Sequence, residues 1–315
     1  MHVYWVDNPK DSDEVIRAKT RRLVDYVTKL DVNSIALSFP IYTDGPRASA
    51  VRAAAGTPTP DRVASVLEEF RLSGMRTTLR PLLDERSLQA VDPKGWRGNI
   101  RPTSRDRWFA SYRQLIVPYL RVAQTMGTET FVIGAELNSL EGDPHWQTLI
   151  AHARQAFHRE IGYSLNWDSY ISRPLRVSVD RVGVDAYFPI DADDDAPVGA
   201  LVKGWQRWLD HRSTGPMPRT VLDEVGAPAE NGGYRHPGVW GTAGHPLNLL
   251  VQQRWFAAAC QVARARKIAG LYWWKLDFHT DPAAADPTGD HHDSFVVRPA
   301  ERTIMTCFTA WGAAT

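Results

Sequence analysis

The sequence predicts a (β/α)8 barrel, a closed sheet of eight parallel strands surrounded by helices. Eight short runs rich in apolar, β-branched and aromatic residues recur along the 315 residues. Most of these runs are separated by stretches with apolar residues at helical spacing. No glycine-rich phosphate loop follows the first run, as it would in a doubly wound open sheet. We therefore favour the closed barrel over the open sheet.

The eight runs have the length of buried strands. Strands of a parallel sheet that is covered on both faces are nearly continuous in apolar residues. Repeating strand, crossover helix and parallel strand around a closed sheet produces a barrel. The predicted strands cover residues 2–6, 34–41, 76–83, 130–136, 163–167, 181–188, 220–225 and 270–276.

Helices are predicted between the strands because apolar residues recur three and four positions apart. In the first two helices they are Val15, Leu23, Val27 and Leu30, then Val63, Val66, Leu67 and Phe70. The third helix is expected over 105–126 with an interruption near Pro118. Later helices are expected over 143–160, 198–211, 247–267 and 300–308. The fifth connection, 170–177, is short and contains Pro174, which favours a turn or one helical turn.

Composition and charge exclude several classes of protein. Apolar residues at 43% and charged residues at 23% are typical of a globular protein. A net charge of +1 provides no field that would attract nucleic acid or a charged membrane surface. We therefore expect one domain over residues 1–315, a monomer, a neutral substrate, and no nucleic-acid or membrane partner.

The cysteines and the amino terminus bear on the compartment. Cys260 and Cys307 fall in predicted helices without the spacing of metal ligands, and we expect no disulfide framework. The opening Met1-His-Val-Tyr-Trp lacks the features of a signal peptide. The compartment stays open: the chain as it stands reads as cytoplasmic, or as secreted if a leader has been removed.

Two glutamates stand where predicted strands end in loops. Glu136 comes directly after Phe131-Val-Ile-Gly-Ala, and Glu224 comes directly after Val221-Leu-Asp. Barrels assemble their active sites at the carboxyl ends of the strands. A glycosidic bond is cleaved by one carboxylic acid that protonates the leaving oxygen and one carboxylate that attacks the sugar or activates water. The pair therefore predicts a glycosidase.

Other polar and aromatic residues fall at or near the same strand ends. The 12 Trp, 10 Tyr and 10 Phe suit a sugar ligand, since flat aromatic faces cover the apolar faces of sugar rings. Core filling is the alternative for many of them. The candidates for substrate binding are Arg80, Trp96, Arg97, Asn138, Trp167, Asp185, Tyr187, Trp273 and Asp277.

Three segments carry a resemblance to a known group of enzymes: Ile133-Gly-Ala-Glu136-Leu-Asn138-Ser, Gly95-Trp-Arg-Gly98 through Pro102, and Trp108-Phe-Ala-Ser-Tyr112. With its paired glutamates after strands four and seven, the chain resembles the glycoside hydrolases of clan A. It is most similar to family 113, whose characterised members are β-mannanases. The resemblance covers most of the chain.

The resemblance implies a role for several residues. Glu136 would be the general acid/base and Glu224 the nucleophile of a retaining hydrolase of β-mannan or a related β-hexan, without metal or organic cofactor. Tyr187 would hydrogen-bond the nucleophile. Trp273 or Trp274 would form the floor beneath the sugar. Because successive strand residues face opposite sides, only one of the two tryptophans points inward, and we expect it to be Trp273.

Several alternatives stay open. Many clan A families have an asparagine before the acid/base that binds the sugar 2-hydroxyl, but this chain has Ala135, so Asn138 or another loop would supply that contact. This departure leaves room for a catalytically silent carbohydrate-binding barrel. A clan A glycosidase acting on a different glycan is a further alternative. Arg80 is available to hold a strand-end glutamate in a structural ion pair, and Asp185 to cap a turn.

A metal-dependent enzyme is a weaker alternative. His279, His291, His292 and Asp293 are close in sequence, but their spacing is not that of a zinc site. A solvated loop accounts for them better. We therefore predict no metal site.

Overall fold

The computed structural model describes residues 1–172, 176–289 and 293–312. It shows the predicted (β/α)8 barrel, whose parallel strands belong to one sheet. The strands among the described residues are β1 (His2–Tyr4), β2 (Ser34–Ile41), β3 (Arg76–Leu83), β4 (Thr130–Ala135), β5 (Glu160–Asn166), β6 (Arg181–Asp185), β7 (Val221–Val225), β8 (Gly270–Trp273) and β9 (Leu276–Asp277).

The strands follow one another in the sheet in the order β8-β7-β6-β5-β4-β3-β2-β1-β9. Each of β2 to β7 therefore neighbours the strands before and after it in sequence, as expected from successive βαβ crossovers. β8 and β9 are consecutive in sequence but stand at the two ends of this order. The predicted eighth strand is thus divided in two, and its two parts nearly close the barrel. Between them, the Trp274–Lys275 peptide bond is cis.

Helices alternate with the strands. They are α1 (Asp13–Lys29), α2 (Pro60–Leu72), α3 (Glu85–Gln89), α4 (Arg105–Thr125), α5 (His145–Ala156), α6 (Trp167–Ser172), α7 (Val198–Asp210), α8 (Leu249–Ala265) and α9 (Pro299–Gly312), with 3₁₀ turns at Arg97–Asn99 and Asn138–Leu140. Within the described parts of the chain, no helix is long and apolar enough to cross a membrane.

Helix α2 shows how local signals define an element. The side chain of Thr59 accepts a hydrogen bond from the backbone N–H of Arg62, and Pro60 opens the first turn, where its missing N–H has no cost. The predicted apolar face, which includes Val63 and Phe70, is buried. The sequence therefore indicates both the start of this helix and the face that packs.

Several predicted boundaries were wrong. Helix α4 continues through Pro118, and buried neighbours such as Tyr119 and Leu120 offset the lost backbone hydrogen bond. Helix α5 ends at Ala156, and β5 begins at Glu160, within the predicted helix. The fifth connection holds α6, which starts at Trp167; residues 173–175, including Pro174, lie outside the described residues.

The chain divides into two compact units. Unit 1 comprises Met1–Val3, Arg22–Asn33 and Val184–Thr315, and unit 2 comprises Tyr4–Arg21 and Ser34–Gly183. Unit 2 holds Glu136, and unit 1 holds Glu224. That the chain is one domain stays a prediction.

The expectation of no disulfide was wrong. Cys260 of α8 and Cys307 of α9, both in unit 1, form a disulfide with 5.9 Å between their Cα atoms. The two residues are 47 positions apart, and nothing in that spacing reveals that the two helices lie side by side. In the chain-entropy model, closing a loop of this length lowers the conformational entropy of the unfolded chain. The free energy of unfolding rises by about 4 kcal/mol as a result.

Candidate active site

In unit 2, Glu136 follows directly after β4. Its φ of 54° lies in the left-handed region, which non-glycine residues seldom adopt and which is found at functional sites. The pairing of β4 with β5 shifts register between Val132 and Ala135, whereas β2 and β3 pair without a shift over eight residues. Such irregularities redirect side chains at strand ends. The Glu136 side chain is nearly buried.

Glycine at position 134 is required by the packing beneath this strand end. A Cβ atom there would lie 2.8 Å from the rings of Trp146 and Tyr163, closer than van der Waals contact permits. Burial, reinforced by the charge of Glu141, raises the pKa of Tyr163 well above its ordinary value. Tyr163 therefore stays neutral and acts as a packing residue.

An arginine holds the carboxylate of Glu136. Arg97 Nη1 donates a hydrogen bond to Glu136 Oε2 at 2.8 Å, and Arg97 Nε donates to the carbonyl oxygen of Leu83 at 2.9 Å. Both charged side chains are about nine-tenths removed from solvent. A charge-assisted bond in such a place is strong and favours the anionic form of the carboxyl group. The sequence predicts Arg97 as a substrate contact and offers Arg80 for a structural ion pair, whereas the structure places Arg97 on Glu136.

The loop that brings Arg97 to Glu136 is folded tightly on itself. A Cβ atom on Gly98 would lie 2.2 Å from the indole of Trp96, so this indole lies directly over the glycine. Asn99 Oδ1 accepts a hydrogen bond from the backbone N–H of Trp96 at 3.2 Å. Trp96 therefore packs against its own loop while part of its ring stays exposed.

In unit 1, Glu224 lies within β7 and is buried. Tyr187 donates a hydrogen bond from its hydroxyl to Glu224 Oε2 at 2.6 Å, which is the contact that the resemblance implied. The pairing of β7 with β8 shifts register between Leu222 and Val225, directly around the glutamate. Each glutamate thus sits at a register shift, but one has a charged partner and the other a neutral phenol.

Comparisons with known proteins identify the family of this chain. The family model described as Glycoside Hydrolase Family 113 matches residues 11–296. The chain belongs to glycoside hydrolase family 113. It is accordingly a clan A glycosidase. A search of the curated proteins found no significant match.

Solved structures show the same fold. A family 113 β-1,4-mannanase has 17% identity and a TM-score of 0.81, with 98% of each chain covered. The family 113 β-mannanase of Alicyclobacillus acidocaldarius, solved with ManMIm, has 22% identity and a TM-score of 0.77, covering 98% of this chain and 96% of the other. The enzyme GH5_18 of Streptomyces cattleya, solved with GlcNAc, has 12% identity and a TM-score of 0.60, covering 96% and 76%.

Trp273 of this family 113 enzyme is a core residue, so the choice of Trp273 as the inward tryptophan was wrong. Its side chain is fully buried and stacks on Phe256 of α8 with 4.5 Å between ring centroids. The indole therefore faces the outer helices. Alternation places Trp274 on the opposite side of the strand, where its ring meets the edge of the His2 ring at 4.5 Å.

The other candidates differ in burial and in their contacts. Arg80 and Asp185 are buried in β3 and β6. Asn138 donates from Nδ2 to Asp168 Oδ1 at 3.0 Å. Trp167 opens α6 and is half-buried. In unit 1, the Asp277 carboxylate accepts a hydrogen bond from the backbone N–H of His279 at 3.1 Å.

The histidine-rich segment lies partly outside the described residues. His291 and His292 lie outside the described residues. Over the described ranges of the chain, no group of three or more His, Cys, Asp or Glu is arranged to hold a metal ion.

One aromatic residue beside Tyr187 has no signal in the sequence pattern. Trp240, in the loop between β7 and α8, meets the ring of Tyr187 at a centroid distance of 5.7 Å. Its position between glycines 238 and 241 gave no periodic signal. Its only sequence cue is a tryptophan in a glycine-rich loop after the strand that carries Glu224.

Proposed function

We propose that this family 113 enzyme hydrolyses β-linked mannan or a related β-hexan with retention of configuration. The observation that carries the proposal is the pair of strand-end glutamates with unlike partners, in a chain that belongs to a glycosidase family. The nucleophile would be Glu224 and the acid/base Glu136. Mannan is supported by the printed names of the family 113 structures, which are β-mannanases.

The first step of the proposed reaction forms a covalent intermediate. A carboxylate oxygen of Glu224 attacks the anomeric carbon, and the glycosidic oxygen leaves with a proton from Glu136. Tyr187 would keep the carboxylate of Glu224 in its orientation through the 2.6 Å hydrogen bond. Glu224 loses its negative charge as the ester forms. A neutral phenol stabilises the anionic carboxylate less than a cation would, so it hinders this step less.

The second step returns the enzyme to its starting state. Water attacks the anomeric carbon of the glycosyl ester as Glu136 removes its proton, and the carboxylate of Glu224 is released. Arg97 favours the anionic form of Glu136, which is the form that acts as base. For the first step Glu136 must take up a proton, so its bond to Arg97 must weaken when substrate binds.

Substrate contacts are proposed for the remaining candidates. Trp274 replaces Trp273 as the proposed floor beneath the sugar, because Trp273 is buried among helices. Asn138, Asp185, Arg80, Trp167 and Asp277 remain candidates for contacts with sugar hydroxyls, and the exposed part of Trp96 for stacking.

The test is incubation of the purified protein with β-mannan, other β-linked polysaccharides and aryl β-glycosides. We expect release of manno-oligosaccharides, with the first product in the β configuration by NMR. Initial α product would contradict retention, and cleavage of another polysaccharide alone would replace mannan as the substrate. Binding of a glycan without any product would favour the silent barrel.

A further inference from the structure

The loop between β7 and α8 packs an aromatic side chain against the partner of Glu224. The Trp240 and Tyr187 rings meet at 76°, in an edge-to-face arrangement. A Cβ atom on Gly226 would lie 3.2 Å from Trp240 Cη2 and 3.3 Å from Trp274 Cβ. The indole tip of Trp240 therefore lies over Gly226, two residues after Glu224, and beside Trp274.

The same indole keeps part of its surface exposed. Trp240 is intermediate in exposure, and its neighbour Val239 is 52% exposed. A tryptophan that served only to fill the core would be covered on all sides, as Trp273 is. Trp240 thus presents apolar aromatic surface next to the hydrogen-bonded pair of Tyr187 and Glu224.

A buried carboxylate fastens the loop that carries Trp240. Both oxygens of Glu230 accept from the backbone N–H of Thr242, at 3.2 and 3.1 Å, and Glu230 is 2% exposed. An antiparallel bridge joins Glu230 to Leu247. These bonds tie the start of the loop to the residues that follow Trp240, so the indole is held in place by the folded loop.

We propose that Trp240 is a substrate-contact residue that stacks on the apolar face of a neutral hexopyranose, and that Glu230 is its positioning residue. This inference rests on the proposed function, because the sugar would be the one whose anomeric carbon Glu224 attacks or its direct neighbour. Aromatic contacts of this kind supply orientation and affinity without charge. Glu230 acts through the loop, by its bonds to the backbone N–H of Thr242 and by His245, whose Nδ1 lies 3.9 Å from Glu230 Oε1.

The test compares Trp240→Ala and Trp240→Phe with wild type on β-1,4-mannohexaose. Trp240→Ala should raise KM about 3- to 10-fold, the effect of losing one aromatic contact, with kcat changed by less than about twofold because ground-state and transition-state binding are lost equally. For Trp240→Phe, the logarithm of KM should rise by no more than half of the increase seen in Trp240→Ala.

Trp208→Ala is the matched control. Trp208 is also half-exposed, but it lies in α7, where it stacks on Phe188 and donates to the carbonyl oxygen of Pro189 at 2.7 Å. Its KM should equal that of wild type. An unchanged KM in Trp240→Ala, or an equal rise in Trp208→Ala, would overturn the assignment of Trp240.

Glu230→Gln and the double variant test the positioning role. Glu230→Gln should raise KM in the same direction, and combining it with Trp240→Ala should add less than about twofold, because both changes remove one contact. A purely structural glutamate would add its full effect to that of Trp240→Ala.

Calorimetric titration with mannohexaose separates this inference from the proposed function. If wild type binds the sugar but does not cleave it, the hydrolase proposal fails, and weaker binding by Trp240→Ala would still support the contact. If wild type neither binds nor cleaves any member of the β-linked panel, both proposals fail.

Discussion

The two compact units hold their glutamates by different chemistry. In unit 1 the neutral phenol of Tyr187 bonds to Glu224, and in unit 2 the guanidinium of Arg97 bonds to Glu136. A neutral phenol orients a carboxylate and stabilises its anionic form only weakly. A guanidinium is positively charged and strongly stabilises the anionic form. The difference fits the proposed reaction, in which Glu224 loses its charge as the ester forms and Glu136 becomes an anion as it donates its proton.

The units also join their outer helices differently. In unit 1 the disulfide between Cys260 and Cys307 links α8 to α9. In unit 2, α4 and α5 are linked by charged groups: His145 lies 2.6 Å from both Asp143 and Asp106, and Arg105 donates to Asp143 at 2.6 Å. A covalent link is insensitive to pH, while the charged link depends on the protonation of His145.

The largest effect should separate the two glutamates. Glu224→Gln should lower kcat/KM by several orders of magnitude on every substrate, because an amide cannot form the covalent ester. Glu136→Ala should lower it by about 10²- to 10⁴-fold on mannan, but far less on an aryl glycoside with an activated leaving group, and azide should then yield a β-glycosyl azide. If both variants lost the same factor in kcat/KM on both substrates, the assignment of different roles to Glu224 and Glu136 would be contradicted.

Removal of the disulfide should have the next largest effect. The Cys260→Ser/Cys307→Ser variant should lose about 4 kcal/mol of unfolding free energy, since the unfolded chain regains the entropy of a closed loop. Urea unfolding with and without reductant measures this loss. Reductant should have no effect on the serine variant. In the serine variant, amide hydrogen exchange should become faster first in α8 and α9. Faster exchange confined to α4 and α5 would contradict the assignment of the disulfide to the stability of unit 1.

The partners of the glutamates should differ by a smaller margin. Tyr187→Phe removes a hydrogen bond to a charged group, worth about 1.5–3 kcal/mol, so kcat/KM should fall about 10- to 100-fold on all substrates. Arg97→Met removes the bond that favours the anion of Glu136, which acts as base in the second step, so kcat on an activated aryl glycoside, for which that step is limiting, should fall about tenfold. The ratio kcat/KM reports only the first step, in which Glu136 acts as acid, so it should not fall on mannan. A fall in kcat/KM on mannan with kcat on the aryl glycoside unchanged would contradict the action of Arg97 through Glu136.

The smallest effect concerns the charged link in unit 2. Hydrogen bonds to Asp143 and then to Asp106 raise the pKa of His145. Its contribution to stability is therefore complete below its unfolded pKa of about 6.5 and is lost as pH rises through the higher folded pKa. The melting temperature of His145→Asn should fall further below wild type at pH 5.5 than at pH 9. Asp106→Asn should reduce the pH dependence of this difference in melting temperature. If the melting temperatures of wild type and His145→Asn changed in parallel with pH, the contribution of His145 to stability would not depend on its protonation.

The sequence by itself determined the fold class and the positions of the two glutamates. Strands β2 and β3 were predicted with their observed bounds, because each is a mostly apolar run of strand length. Family membership could also be recognised from short motifs around Glu136. The fold class and the strand bounds depend on neighbouring residues in the chain, so periodicity reports them, whereas the family was recognised by resemblance.

Only the tertiary structure decided which side chains meet. Arg97 reaches Glu136 across 39 positions, Cys260 pairs with Cys307, Trp273 turns to α8, and Trp240 reaches Tyr187. Each contact depends on how a loop folds, how two helices pack or which side of a strand faces the helices. The directions of Glu136 and Glu224 follow register shifts that arise between strands. Local propensity carries no information about such long-range choices, because the competing arrangements have the same sequence neighbours.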